Sequence, residues 1–351
     1  MRVLASTSSL GMNGAALYML DVLIWLRRQG AQVTMAYEGN EPLRERLLAE
    51  GIACNAYINP GDFDVALVNT LIDAPKVSLL APHLPVVFWI HEGTSALANP
   101  GIVPVWHRAL SESTRIVFSV DWQAHSVYRS FLQRTQPHRI AVVRPGANRF
   151  DLRNRPARDT MPHVLFSGSV YERKRPADLV DAVLQLTDLP MKCTLAGSLA
   201  GLDTNGPEFN KKIISRLDLI RLEGEVSSDE HMQNLYARAN LFCLPSSDEV
   251  FPRAILEAAC AGLPLALSDL PCHEGVWKHG IHALMHPVGA TDMLHWNLRA
   301  LATDTALAQR LRAAALEVAH QHSKEAFIKS MVSVLQDAMR DPLPVMAGAS
   351  T

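Results

Sequence analysis

No two of the five cysteines stand in a CxxC pair, and Cys54, Cys193, Cys243, Cys260 and Cys272 are odd in number and scattered. This excludes a disulfide framework or a cysteine metal cage and reads as reduced cytosolic thiols. An excess of charge of one sign is also missing. The formal net charge is −2, which leaves no global nucleic-acid footprint. Long apolar runs are lacking as well: the longest near the start, Ala15 to Leu26, is broken by Asp21 and too short to span a bilayer. No secretory leader is visible, since Met1 runs straight into a strand-like segment. The expectation is a cytoplasmic protein, with peripheral membrane association left open. Internal repeats and low-complexity tracts are absent too.

What remains is a chain of 351 residues, 48% hydrophobic and 19% charged. That suits a globular enzyme of two α/β domains better than one core or extensive disorder. One local asymmetry stands out. Between Gly101 and Phe150 lie seven arginines and no lysine, against Glu112 and Asp121. These are either scattered solvated charges or a basic face for an anionic acceptor or membrane.

Short Val/Ile-rich runs alternate with helical patterns, which predicts βαβ units and parallel sheets. In the first half the predicted strands are Arg2–Ser6, Gln32–Tyr37, Val65–Asn69, Val86–His91, Arg115–Val120 and Arg139–Arg144. Helices are expected at Gly14–Arg28 and Glu41–Glu50, the second capped by Asn40. Asp151–Pro162 is polar with two prolines and reads as a linker. A second alternation follows, with strands at Val164–Ser167, Lys192–Ala196, Ile220–Leu222, Leu241–Leu244, Leu265–Ser268 and Ala283–Met285. Its helices fall at Ala177–Leu186, Asp229–Ala239 and Pro252–Ala261, and the region Thr303–Met339 is helical. The expected organisation is a Rossmann-like domain over 1–150, a linker over 151–162 and a second domain over 163–322. A helix over 323–340 packs back on the first domain, and a flexible tail covers 341–351. Two doubly wound domains place a site in the cleft between them, near the carboxyl ends of the strands.

The stretch Leu244–Pro264 (LPSSDEVFPRAILEAACAGLP) holds the most chemistry. A strand ends at Leu244, a polar loop follows, Pro252 opens a helix, and Gly262 with Pro264 stops it. The free N–H groups at such a helix start suit a diphosphate. Glu249 before the helix and Glu257 inside it offer carboxylates suited to sugar hydroxyls. This segment resembles the E-x(7)-E region of the retaining GT-B glycosyltransferases, the large sucrose-synthase and mannosyltransferase-like family called glycosyl transferases group 1. A two-carboxylate glycosidase is the poorer reading, because hydrolases need no phosphate-binding features.

Other segments resemble the same family in part. Phe166–Arg175 (FSGSVYERKR) follows the second domain's first strand and is similar to the family's Gly-Arg–loop–Lys-Gly segment. Lys174 matches the family lysine, with Gly168 before it. Ser169 stands at the family's arginine, and Arg175 at the glycine after the lysine. Either Arg173 or Arg175 could supply the missing cation. Ser8–Leu17 looks like the family's glycine-rich loop, with Gly14 where a backbone approaches closely. A dinucleotide fingerprint does not fit, because Gly11 and Gly14 are separated by two residues and no third glycine follows. His91, ending a strand, resembles the family's cleft histidine, although a hydrogen-bonded structural role is the plain alternative. Val143–Asn148 resembles the segment before the linker, with Gly146 making its turn. Asp62-Phe-Asp64 is a DxD triplet but sits at a strand entrance, where capping and turn duties suit Asp. No other cluster has metal-ligand spacing, so neither a metal nor a cofactor is expected.

The resemblance implies a GT-B fold: two Rossmann-like doubly wound α/β domains facing across a cleft. It implies a metal-independent, retaining hexosyl transfer from a nucleotide-sugar donor, without an obvious protein nucleophile. The acceptor would be a glycan, a lipid-linked molecule or a small molecule, as in surface polysaccharide or glycoconjugate assembly. His91, Glu249 and Lys174 are the implied catalytic residues. Gly14, Gly168, Arg173, Lys174, Glu249, Phe251, Pro252, Arg253 and Glu257 would bind the donor. Glu257 would take the ribose and Glu249 the sugar. An epimerase or phosphorylase of the same fold, or a non-catalytic glycan-binding module, stays as an alternative.

Overall fold

The computed structural model describes residues 1–98, 101, 103–147 and 161–341. Residues 151–160 of the predicted linker, Asn148, Arg149 and the chain from residue 342 lie outside the described residues. The chain divides into two compact units, Met1–Pro145 with the chain from Glu325, and Gly146–Lys324.

In the first unit seven strands, β1 (Arg2–Thr7), β2 (Gln32–Ala36), β3 (Ala53–Asn55), β4 (Val65–Asn69), β5 (Val86–Trp89), β6 (Arg115–Phe118) and β7 (Ile140–Val142), form one parallel sheet. Its order is β3-β2-β1-β4-β5-β6-β7. The helices between them are α1 (Gly14–Arg28), α2 (Pro42–Ala49), α3 (Ala74–Leu80) and α4 (Val103–Glu112). Residues of β4 and β5 are buried throughout, as Val/Ile/Leu runs covered on both faces must be. The apolar run noted in the sequence folds as α1, capped by Asn13, which accepts from Ala16 N. Two core clusters cover the two sheet faces.

The second unit repeats the pattern with β8 (His163–Ser167), β9 (Lys192–Ala196), β10 (Ile220–Gly224), β11 (Leu241–Leu244), β12 (Leu265–Ser268) and β13 (Leu284–His286). Their order, β10-β9-β8-β11-β12-β13, reverses direction between β8 and β11, the doubly wound arrangement. Helices α5 (Pro176–Leu184), α6 (Pro207–Ser215), α7 (Asp229–Arg238), α8 (Arg253–Cys260), α9 (Thr291–Thr303) and α10 (Thr305–Gln321) accompany them. The chain leaves this unit at Ser323, which bridges Ala147, and enters α11 (Lys324–Ala338). Phe327, Ile328, Met331, Val332 and Leu335 of α11 are buried in the first unit's core beside Val3, Tyr18 and Trp89.

Several boundaries differ from expectation. Asn40 does not cap α2: Glu41 is the cap residue, and its carboxylate accepts instead from Ser9 Oγ (2.9 Å), Leu10 N (2.5 Å) and Tyr37 OH. Pro252 is the cap residue of α8 rather than its first helical residue. The expected helical run Thr303–Met339 is interrupted between α10 and α11. Gly146 has no positive φ; a Cβ there would lie 2.4 Å from the Ser323 carbonyl oxygen, so close approach, not a turn, requires it. Among the described residues no helix is long and apolar enough to cross a membrane.

Candidate functional site

At the carboxyl end of the second sheet, β8 and β11 pair only through Val164–Leu241 and Leu165–Phe242. Beyond that point β8 continues along β9 and β11 along β12, so the two chains part at the switch point. The loop after β8 and the loop after β11 then meet across this crevice. Ser247 donates from its N (2.8 Å) and its Oγ (3.0 Å) to the Arg173 carbonyl. Lys174 donates its ammonium to Glu249 Oε1, which also accepts from Ser246 Oγ at 2.7 Å. Glu249 is buried, at 8% exposure, so its charge needs these partners. Burial works to raise its pKa, but Lys174 and Arg173 outweigh it and hold the carboxyl below its ordinary value.

Backbone geometry explains why the cations point as they do. Gly168 takes φ 155°, and a Cβ there would lie 3.8 Å from Lys174 Cε, so the lysine stem runs over a bare backbone. Gly197, φ 148°, approaches so closely that a Cβ would sit 2.1 Å from the Gly168 carbonyl. Arg173 donates to the Asp248 carbonyl and to Tyr171 OH (Nε, 3.0 Å), with its guanidinium carbon 5.3 Å from the Tyr171 ring centre. Burial opposes its charge, yet Glu249, Tyr171 and Asp248 hold its pKa above the ordinary value. Arg175 goes elsewhere. Its backbone is left-handed (φ 50°), and its guanidinium holds Asp178 at 2.6 and 3.0 Å. The resembling family's glycine at this position matches that conformation, which costs a non-glycine residue roughly 1 kcal/mol or more.

Glu257 is the fifth residue of α8, about one turn past its start. Arg253 Nε reaches its Oε1 at 2.7 Å and Tyr236 OH its Oε2 at 3.0 Å. Tyr236 is fully buried; burial first, then Glu257, pushes its phenol well above the usual range. Phe251 lies with its ring 5.7 Å from that of His322, and Pro252 precedes the helix start. Ser246, Tyr171 and Tyr236 were not singled out in the sequence. Tyr236 belongs to another helix, and no local spacing ties it to Glu257.

In the first unit, the ends of β1, β4 and β5 bring together Thr7, Asn69 and His91. His91 Nε2 lies 2.7 Å from Asn69 Oδ1, and burial pushes the ring down to about 3. Glu92 accepts from Leu71 N and His91 N, each at 3.0 Å, while burial raises its carboxyl to about 7. Gly14 opens α1 with nothing within 4 Å of an added Cβ, so the fold itself does not demand the glycine. The DxD triplet has strand-entry work. Asp64 accepts from Arg2 N (2.7 Å) and from the Arg2 guanidinium (2.7 and 3.0 Å), and Asp62 ends a 3₁₀ turn. Among the described residues no three His, Cys, Asp or Glu side chains group to hold a metal ion. Of the seven arginines, Arg108 pairs Glu112, Arg115 pairs Asp341 and Arg144 pairs Asp121, while Arg139 is spent on backbone carbonyls.

The family model described as Glycosyl transferases group 1 matches residues 148–318. Alpha-galactosylglucosyldiacylglycerol synthase of Streptococcus pneumoniae is 32% identical over 34% of this chain and 32% of its own length. A D-inositol 3-phosphate glycosyltransferase of Streptomyces bingchenggensis is 24% identical over 64% of this chain and 53% of its own. The chain thus spans about a third to a half of these two relatives. Among solved structures, Anabaena HepE in complex with UDP-glucose superposes with a TM-score of 0.80 at 18% identity, covering 96% of this chain and 100% of HepE. Sucrose-phosphate synthase of Thermosynechococcus elongatus gives 0.76 at 18% identity, over 97% and 99% of the two chains. Residues 148–318 therefore match the glycosyl transferases group 1 family model, on a chain whose fold is GT-B.

Proposed function

We propose that this protein is a retaining glycosyltransferase that takes a hexosyl group from a nucleoside-diphosphate sugar. The observation that carries the reading is the grouping of Arg173, Lys174 and Glu249 at the second sheet's switch point, with Glu257 on the helix that follows. In a doubly wound domain the ligand crevice lies outside the carboxyl ends of the strands at that point. Two cations there suit a departing diphosphate, whose developing charge they stabilise. Arg173 takes over the cationic role of the family's arginine, while Arg175 supports the turn. Glu249, shared by Lys174 and Ser246, serves as a support for sugar and lysine rather than as a nucleophile. Glu257, held open-armed by Arg253 and Tyr236, offers its carboxylate to the ribose hydroxyls.

Transfer proceeds in this reading without a metal or other cofactor, on the cytoplasmic side, to a glycan or lipid-linked acceptor. Similarity to a diacylglycerol glycolipid synthase supports a lipid acceptor, and UDP bound to HepE supports a UDP donor. Contact with an anionic membrane would fall to Arg129 and Arg134, which are exposed and unpaired among the described residues, since the arginines paired above are already engaged. Thermal-shift measurements with UDP-, GDP- and ADP-glucose in EDTA test the reading, because a ligand that binds only the native state raises the melting point. One nucleotide sugar should raise it and be turned over with retained anomeric configuration. No shift with any of the three, or a shift that needs Mn²⁺ or Mg²⁺, counts against it.

A further inference from the structure

Asn69 ends β4 with 0% exposure, and its side-chain amide lies among three groups. One end faces the carbonyl oxygen of Ala15 at 3.3 Å and the Thr7 hydroxyl at 3.4 Å. The other faces His91 Nε2 at 2.7 Å. A backbone carbonyl oxygen only accepts, so the end toward Ala15 is the NH₂ group and the end toward His91 is Oδ1. Oδ1 accepts as well, so the hydrogen in the 2.7 Å contact belongs to Nε2. A neutral imidazole carries one ring hydrogen, and burial keeps this ring neutral at ordinary pH. Nδ1 is then a bare lone pair, and it has no partner among the described residues. The ring is held in place by Trp89, 4.4 Å away between ring centres, and the backbone by Glu92, whose carboxylate accepts the His91 main-chain N–H. The Glu92 carbonyl is itself held by Gln123 (3.0 Å) and Tyr128 (3.1 Å).

We propose that Asn69 is a positioning residue that fixes His91 as the Nε2–H tautomer, so that His91 meets its substrate as a hydrogen-bond acceptor through Nδ1. The group that such an atom takes must bring its own hydrogen: a sugar hydroxyl does, whereas a phosphate or carboxylate oxygen does not. His91 thus reads a hydroxyl of the glycosyl substrate rather than an anionic group. The substrate class rests on the transferase reading; the tautomer does not.

The full chain labelled with ¹⁵N-histidine tests the two separately. Ring nitrogen spectra at pH 7.5, assigned by the signals lost in His91→Gln, should show His91 with Nε2 protonated and Nδ1 bare. A protonated Nδ1, or a doubly protonated ring, overturns the proposal. In Asn69→Leu the preference should disappear. Turnover of whichever of UDP-, GDP- or ADP-glucose shifts the melting point should drop about tenfold, with the Kd for the free nucleoside diphosphate unchanged. Asn69→Asp keeps an oxygen toward Nε2 while setting another against the Ala15 carbonyl. It should lower the melting point yet restore the tautomer and most of the turnover, a pattern that a merely structural role would not produce. If Asn69→Leu keeps the Nε2–H pattern and full turnover, the role assigned to Asn69 is wrong. Should that variant not fold, an Asp variant with Nδ1 protonated overturns it equally. Absence of turnover with any donor leaves the ring spectra standing and counts against the transferase reading alone.

Discussion

Lys174 and Glu249 lie 75 residues apart in sequence and share one hydrogen bond in a buried crevice. Removing the lysine has two separable effects. In the proposed reading it takes a cation from the diphosphate, and it leaves Glu249 charged and buried without its partner. Lys174→Ala should therefore lower the melting point and cut turnover about a hundredfold or more, on the order of 3 kcal/mol. The double variant Lys174→Ala/Glu249→Gln should recover stability but not turnover. Arg173→Ala should also be severe, whereas Arg175→Ala should mainly soften the left-handed turn before α5. Ser169→Arg placed in Arg173→Ala should restore part of the activity, because it returns a cation to the position where the resembling family has one. Steady-state kinetics beside thermal melts decide among these outcomes. Equal turnover in all the cation variants would show that this loop is only a basic surface turn.

At the scale of elements, Glu92 staples the ends of β4 and β5 by accepting the N–H groups of Leu71 and His91. Burial raises its carboxyl from 4.5 to about 7, against the pull of those two donors. The sign follows from linkage: between these values the folded state binds more protons than the unfolded chain, so stability declines as pH rises. The contribution is fully present below about pH 4.5 and lost as pH passes through about 7. Urea unfolding of wild type from pH 5 to pH 8 should show this decline, on the order of 2 kcal/mol. Glu92→Gln should flatten it. A wild-type profile as flat as the variant's would mean the carboxylate is charged throughout. The same staple was invisible in sequence, because Leu71 and Glu92 are 21 residues apart and meet only through strand pairing.

For the whole molecule, the last helix belongs to the first unit although it follows the second in sequence. Phe327 of α11 is 2% exposed and packs against Tyr18 (5.6 Å between ring centres) and Trp89 (5.8 Å). Phe327→Ala leaves a cavity among large side chains and should cost about 3–5 kcal/mol. Hydrogen exchange should report the loss in β1, β4 and β5, with the second unit's strands protected as before. Uniform loss across both units would show that the two unfold together.

Periodicity and composition determined much by themselves. Runs such as Val65–Asn69 and Leu241–Leu244 are too apolar for a half-exposed strand, so parallel sheets with helices on both faces follow from them. The places of Glu249, between a strand end and a helix start, and of Glu257, inside that helix, were legible because that pattern is local. What only the tertiary structure decided is orientation. Arg173 reaches the Asp248 carbonyl while Arg175, left-handed at φ 50°, turns to Asp178, and β3, three residues at a sheet edge, has no pattern to read. Asn69 to His91, Tyr236 to Glu257 and Lys174 to Glu249 are all contacts between different strands, loops or helices. A sequence specifies which groups are present and which face they share within an element. Which atom each group meets is settled only when strand order brings distant loops to one sheet edge.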